Sequence, residues 1–287
     1  MYESFFSLKE NPFGTTPDPR YLFKSQAHCD ALAYLAVGIF QKKGFLALTG
    51  AVGIGKTTLI RAFTQTFDPC LDVSFVLNTR VDFREMLYML LTDFGVPIPN
   101  DSKVAMLASL NAFLVERFAQ NQNPLLVIDE AQNLTPEILE ELRMLSNLET
   151  NQKKLIQIVL VGQPELFAML QRDDLRQLRQ RIPGVFQMQY LTRDEVYHYI
   201  RYRLGIAGLH NGNLIFSDGA VDDIHQYTNG IPRLINMLSD RILLNGYFER
   251  VRVIKSAIVE MSARELIDQV GLVPREFPGR SEGKRVQ

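Results

Sequence analysis

Tryptophan is absent from the 287 residues, and there are only two cysteines, Cys29 and Cys70. Neither cysteine sits in a Cys-x-x-Cys or mixed Cys/His array, which argues against a zinc finger and against a disulfide framework. So few thiols predict reduced cysteines in a protein kept inside the cell. Long apolar runs are missing too. The longest are Leu125–Ile128 and Ile156–Gly162, the second interrupted by Gln157, against the ~18 residues a membrane span requires. The first eleven residues carry Glu3, Lys9 and Glu10 and show no apolar core followed by small residues, so they do not read as a secretory signal. No charge of one sign dominates. With 31 Lys and Arg against 32 Asp and Glu the formal net charge is -1, without the global basic excess of a nucleic-acid binder, although a local basic face is compatible with it.

What remains is ordinary globular composition, long enough for one large and one smaller domain. After a turn-rich opening (Asn11-Pro12-Phe13-Gly14 and Pro17-Asp18-Pro19), apolar residues recur at helical spacing from Ser25 to Phe40, with Ser25 as cap. Short apolar strands then alternate with helices. Strands are expected at Phe45–Leu48, Val73–Leu77, Leu125–Ile128, Leu155–Val161 and Val185–Tyr190. Helices are expected at Thr57–Phe67, Arg84–Phe94, Lys103–Ala119 and Pro136–Leu148. That alternation implies a parallel sheet covered on both faces, with the loops after the strands gathered along one edge. After Tyr190 the strands stop. Four helices follow, capped by Thr192, capped by Ser217, opening at Pro232, and covering Ile254–Ile267.

Gly50-Ala51-Val52-Gly53-Ile54-Gly55-Lys56-Thr57 matches G-x-x-x-x-G-K-[ST], with a strand before it and a helix after it. Glycines permit the backbone turns that aim successive N–H groups at phosphates, and the helix N-terminus faces the same charge. In this motif Lys56 reaches the β- and γ-phosphates and the Thr57 hydroxyl binds magnesium. Thr58, next in line, is placed to bond the α-phosphate.

Leu125-Leu126-Val127-Ile128-Asp129-Glu130 adds two acids to the end of a buried strand. An acid there is costly unless paired or bound to metal. Beside the phosphate loop, Asp129 would bind magnesium and Glu130 would orient and deprotonate the attacking water. Gln163, following the Leu155–Val161 strand, would project from the same edge and position that water. Arg172, Arg176, Arg179 and Arg181 read as a cluster on one helix before the last strand; they are either a solvated face or the source of an arginine finger for a neighbouring subunit, with Arg181 favoured and Arg179 second. Arg233, in Gly230-Ile231-Pro232-Arg233, starts a helix of the second domain and could reach ATP. His28 reads as a helix-surface or nucleotide-edge residue without a catalytic role.

In this order, the phosphate loop, acidic strand, Gln163, arginine cluster and Gly-x-Pro-Arg resemble an AAA+ ATPase. More narrowly, the chain resembles the ExeA/GspA family, the general secretion pathway protein A type. The likeness rests on Tyr2, Phe5-Phe6, Leu8 and Asn11-Pro12-Phe13, on Asp129-Glu130-Ala131-Gln132-Asn133-Leu134, on Val161-Gly162-Gln163-Pro164-Glu165-Leu166, on Leu175 to Ile182, and on Gly230 to Asn236. It implies an α/β P-loop NTPase sheet with helices on both faces, followed by a small all-α lid. The boundaries expected are 1–191 for the nucleotide-binding domain with its opening segment and helix 1–44, 192–270 for the lid, and 271–287 for a disordered tail. It also implies ATP and Mg2+ as ligands and a homo-oligomer assembled with nucleotide. In that oligomer Gln163 serves as sensor 1, Arg181 as the finger acting in trans, and Arg233 as sensor 2, contributing to both binding and catalysis. The N-terminal segment would line the adenine pocket. Ending at Gln287 without a membrane span, the chain resembles the short pilus-biogenesis MshM form, whose partners would be secretion or pilus assembly components, in the cytoplasm or peripheral at the inner membrane. The same ATPase type is similar to transposition regulators of the TnsC/TniB kind. This gives the alternative of a DNA-binding target-selection ATPase using Arg252, Lys255, Arg275, Arg280, Lys284 and Arg285 on phosphates. A slow nucleotide switch that scaffolds partners is the third expectation.

Overall fold

The computed structural model describes residues 1–14, 18–67, 71–77, 79–98, 102–149, 153–209, 214–270 and 272. In chain order a short helix α1 (Glu3–Phe6) precedes α2 (Gln26–Phe40), β1 (Phe45–Thr49), α3 (Lys56–Phe67), β2 (Val73–Val76), α4 (Phe83–Asp93) and α5 (Lys103–Ala119). Then come β3 (Leu125–Ile128), α6 (Pro136–Leu145), β4 (Gln157–Gly162), α7 (Pro164–Leu170), α8 (Arg176–Arg179) and β5 (Val185–Gln187). The remainder is α9 (Arg193–Ile206), β6 (Ile215–Phe216), α10 (Asp218–Thr228), α11 (Pro232–Phe248), β7 (Val253–Ile254) and α12 (Ser256–Val270). The chain divides into two units, Lys24–Gln189 and Met1–Phe23 with Tyr190–Gln287.

The first unit holds five parallel strands in the order β2-β3-β4-β1-β5. The strand residues alternate between two apolar layers, as period-two side chains must. Phe45, Ala47, Leu126, Ile128, Ile158 and Leu160 join a core built with α4 to α8. Leu46, Leu48, Leu125, Val127, Val159 and Val161 join another built with α2 and α3. Burial on both faces is why these strands read as unbroken apolar runs. Ser25 caps α2 by accepting the His28 N–H, and Asp82 with Glu85 forms a reciprocal capping box on α4. The register pairs Thr49 with Gly162 and Ile128 with Leu160, so β1, β3 and β4 end along one edge.

The other unit corrects two expectations. Residues 1–23, expected in the nucleotide-binding domain, fall in one unit with the helices that follow Tyr190. The reason is apolar burial across distant sequence: Tyr2, Phe6, Leu8 and Phe13 are buried in the same core as Tyr199, Ile235 and Leu238 of α9 and α11. The buried Arg203 guanidinium adds donors to the Pro12 and Gly14 carbonyls at 2.6 and 3.3 Å, and Tyr2 donates its hydroxyl to Asp240. Nor do strands stop at Tyr190. β6 and β7 form a two-stranded parallel ladder, Ile215 to Val253 and Phe216 to Ile254, too short for alternation to reveal. At Gly230 the backbone has φ 72°, and a Cβ there would stand 2.0 Å from the Leu191 carbonyl oxygen. The 271–287 tail, apart from Leu272, and Cys70 lie outside the described residues.

Candidate functional site

The loop between β1 and α3 is held at both ends by the sheet. The Gly50 N–H donates to the Gly162 carbonyl at 3.2 Å, and the Met188 N–H donates to Thr49 at 2.8 Å. Ile54, 1% exposed, anchors the loop in the layer under α3. Gly53 and Gly55 take φ 79° and 105°, the left-handed region that side chains resist. Gly55 is also hemmed in, since a Cβ would meet His28 Nε2 at 3.1 Å. His28 is therefore buried against the loop and not on the helix surface, with Nδ1 2.7 Å from the Ser25 hydroxyl. Its position in the first turn of α2 puts it among the buried residues of that helix, with Ala31, Leu35 and Ile39.

Lys56 is 6% exposed and donates its ammonium to the Gly50 and Ala51 carbonyls at 2.8 and 3.1 Å. Burial pulls its proton affinity below the ordinary lysine range, while Glu130, Asp129 and Glu165 pull the other way. Thr57 Oγ1 donates to Asp129 Oδ2 at 2.5 Å. The two acids the sequence singled out thus lie at the loop. Asp129 is buried, and its other oxygen, Oδ1, accepts the Glu130 N–H at 2.9 Å. Glu130 itself has φ 52° and ψ 37°, a costly conformation for a residue with a Cβ. Burial alone would raise the Glu130 carboxyl, but amide donors from Gln132 and Gln163 and the Lys56 charge bring it below the ordinary range. Gln163, at the N-terminus of α7, reaches Glu130 Oε2 through Nε2 at 3.0 Å.

A threonine hydroxyl beside a carboxylate oxygen is an all-oxygen donor pair of the kind that suits magnesium, which takes few protein ligands and completes its octahedron with phosphates and water. Among the described residues no three His, Cys, Asp or Glu cluster at ligand spacing, so a fully protein-built metal cage is not what these residues offer.

The other sequence-predicted residues fall elsewhere. The four arginines do not share one helix. Arg172 precedes a 3-10 turn and pairs with Asp174 at 2.7 Å; α8 spans only Arg176–Arg179; Arg181 follows it. Arg179 donates to the Gln171 carbonyl at 2.9 Å and Arg181 to the Ser146 hydroxyl at 3.2 Å. The backbone is extended at Arg172 (φ -61°, ψ 147°), the turn that follows ends at the buried Leu175, and α8 stops at Arg179. Thr58 is half-buried in the first turn of α3, and Arg233 is exposed in the first turn of α11, within the helical unit. Of the basic residues considered for nucleic-acid phosphates, Arg252 is engaged with Phe5, donating to its carbonyl at 3.1 Å and lying 5.1 Å from its ring centre. Arg275, Arg280, Lys284 and Arg285 lie outside the described residues. Gln132 and Thr79 were missed. Thr79 Oγ1 donates to the Glu130 carbonyl at 3.3 Å; the readable signal for Gln132 is an amide two residues after the acid pair, on a turn.

Comparison with known proteins concerns the domain that carries this loop. The AAA domain family matches residues 40–170. General secretion pathway protein A of Aeromonas hydrophila is 39% identical over 267 residues, 93% of this chain and 48% of that protein. Residues 40–170 therefore carry an AAA domain, and the chain spans about half the length of that relative. Among solved structures it is similar to Cdc6p of Pyrobaculum aerophilum (TM-score 0.67, 22% identity, 88% of this chain and 70% of that one). It is also similar to the ORC2 protein of Aeropyrum pernix (0.62, 18%, 90% and 72%), and to the RuvB Holliday junction branch migration motor of Thermotoga maritima (0.55, 17%, 86% and 73%). At those identities the likeness concerns the fold. No helix among the described residues is long and apolar enough to cross a membrane.

Proposed function

We propose that this chain is an AAA+ ATPase, binding ATP with Mg2+ and hydrolysing it to ADP and phosphate. The observation that carries the reading is the 2.5 Å bond from Thr57 to Asp129, which joins the phosphate loop to the acid pair. The amides of Gly50 to Thr58 would surround the phosphates, with Lys56 turning from the loop carbonyls to the β- and γ-phosphate oxygens. Thr57 and Asp129 would hold the metal, which when bound neutralises developing phosphate charge. Glu130 would take the proton from the water as the water oxygen bonds to the γ-phosphorus and the bond to ADP breaks, and Gln163 would orient that water. Arg181, or in its place Arg179, would enter the site of an adjacent subunit in a nucleotide-dependent homo-oligomer.

The 39% identity to general secretion pathway protein A supports a finer reading: the ATP cycle assists assembly of a bacterial secretion or pilus apparatus from the cytoplasmic side. Phosphate release by the purified protein tests the core of the proposal. Magnesium-dependent turnover that disappears in Lys56→Ala is expected, and turnover equal in Lys56→Ala would overturn it. For the finer reading, deletion of the gene should halt export or piliation, and an unchanged envelope would reject it.

A further inference from the structure

Gln132 has no role in the mechanism above, yet it lies at the centre of the acidic group. It sits in the 3-10 turn Ala131–Asn133 directly after Glu130. Its Nε2 donates to Glu130 Oε2 at 2.6 Å, and its Oε1 accepts the backbone N–H of Gln163 at 3.0 Å. The Gln163 side chain donates to the same Glu130 oxygen at 3.0 Å. Two amides therefore converge on Oε2, while Oε1 of Glu130 accepts nothing among the described residues. The end of β4 is cut to fit this arrangement: a Cβ on Gly162 would stand 2.8 Å from Gln132 Oε1. The Glu130 backbone is fixed too, its N–H on Asp129 and its carbonyl under Thr79.

A carboxylate on a flexible stem has a broad terminal torsion and two equivalent oxygens, so an unanchored base presents its acceptor atom in many directions. Two donors on one oxygen remove both freedoms. We propose that Gln132 is a positioning residue which, with Gln163, fixes Glu130 through Oε2 and leaves Oε1 as the atom that receives the proton of the attacking water. This rests on the reading of Glu130 as the base. Gln132 also ties the end of β3 to the end of β4, so a shift of either strand end reaches the carboxylate through a single side chain.

The test is the kinetics of Gln132→Leu, which keeps the volume and removes the amide, with Gln132→Met as a second variant should the first fold poorly. The expected result is kcat lower by about 10-fold, with the dissociation constant for ATP, measured by titration with a fluorescent ATP analogue in Mg2+, changed by less than about 2-fold. Because both amides hold one oxygen, Gln132→Leu in a Gln163→Leu background should cost less than it does alone. Wild-type kcat in both variants, a parallel loss of nucleotide affinity and melting temperature, or strictly additive losses would each overturn the inference and leave Gln132 as a turn-to-strand tie. Glu130→Gln separates the two levels. If that variant retains turnover, the base assignment itself is wrong; if it is inactive while Gln132→Leu matches wild type, only the role of Gln132 fails.

Discussion

Thr57 Oγ1 lies 2.5 Å from Asp129 Oδ2 across 72 residues of sequence, and this one hydrogen bond joins the loop after β1 to the end of β3. β4 lies between those two strands in the sheet, so the bond spans a strand position at the edge where all three end. Both groups are hard oxygen donors. Removing magnesium with a chelator should abolish phosphate release, and Asp129→Asn should raise the magnesium concentration for half-maximal turnover by roughly 10-fold or more. Turnover indifferent to chelator would show that these oxygens do not serve a metal.

Lys56 is already buried and pointed into the loop by the Gly50 and Ala51 carbonyls. Its replacement by alanine removes a charge-assisted donor worth about 1.5–3 kcal/mol, so ATP affinity should fall by about 10–150-fold. Isothermal titration of ATP into both proteins measures the ratio directly, and equal affinities would contradict the phosphate-site assignment.

The fold was legible where the signal is local and apolar. Runs such as Leu125–Ile128 and the spacing of Gly50 to Thr57 dictate their own structure, and the caps at Ser25, Thr192 and Ser217 are formed by residues within a few positions. What was not legible depends on tertiary choice. Tyr2, Phe6, Leu8 and Phe13 announce burial but not the core they enter, and they enter the one formed with α9 and α11. Nothing in the spacing of Arg172 to Arg181 reveals that the chain is extended at Arg172 and that α8 covers only Arg176–Arg179. The acids at 129 and 130 could be read from a strand end, but the two glutamines on Glu130 meet only because β4 delivers Gln163 beside the Ala131–Asn133 turn.

Gly230 offers a test of the helical unit that is independent of nucleotide. Its positive φ and the 2.0 Å approach of the Leu191 carbonyl leave no place for a methyl group. Gly230→Ala should cost at least about 1–3 kcal/mol from backbone strain alone, seen as a lower midpoint in denaturant. An unchanged midpoint would mean that the turn before α11 is not held as described.

Arginine supply in trans can be separated from supply in cis by mixing subunits. Arg181→Ala should lower turnover without lowering ATP affinity. Adding Glu130→Gln subunits, which carry Arg181 but lack the base, should restore part of it in the mixed oligomer. No recovery at any ratio would assign Arg181 to its own subunit or to no finger at all.

The most direct measurement is a single-turnover experiment on Glu130→Gln with Mg2+ and labelled ATP. ATP should be retained unhydrolysed, with phosphate release slowed by about 10²–10⁴-fold relative to wild type. Phosphate release at the wild-type rate, or failure to retain ATP at all, would contradict the assignment of the loop at Lys56 and the acids of β3 to one hydrolytic centre.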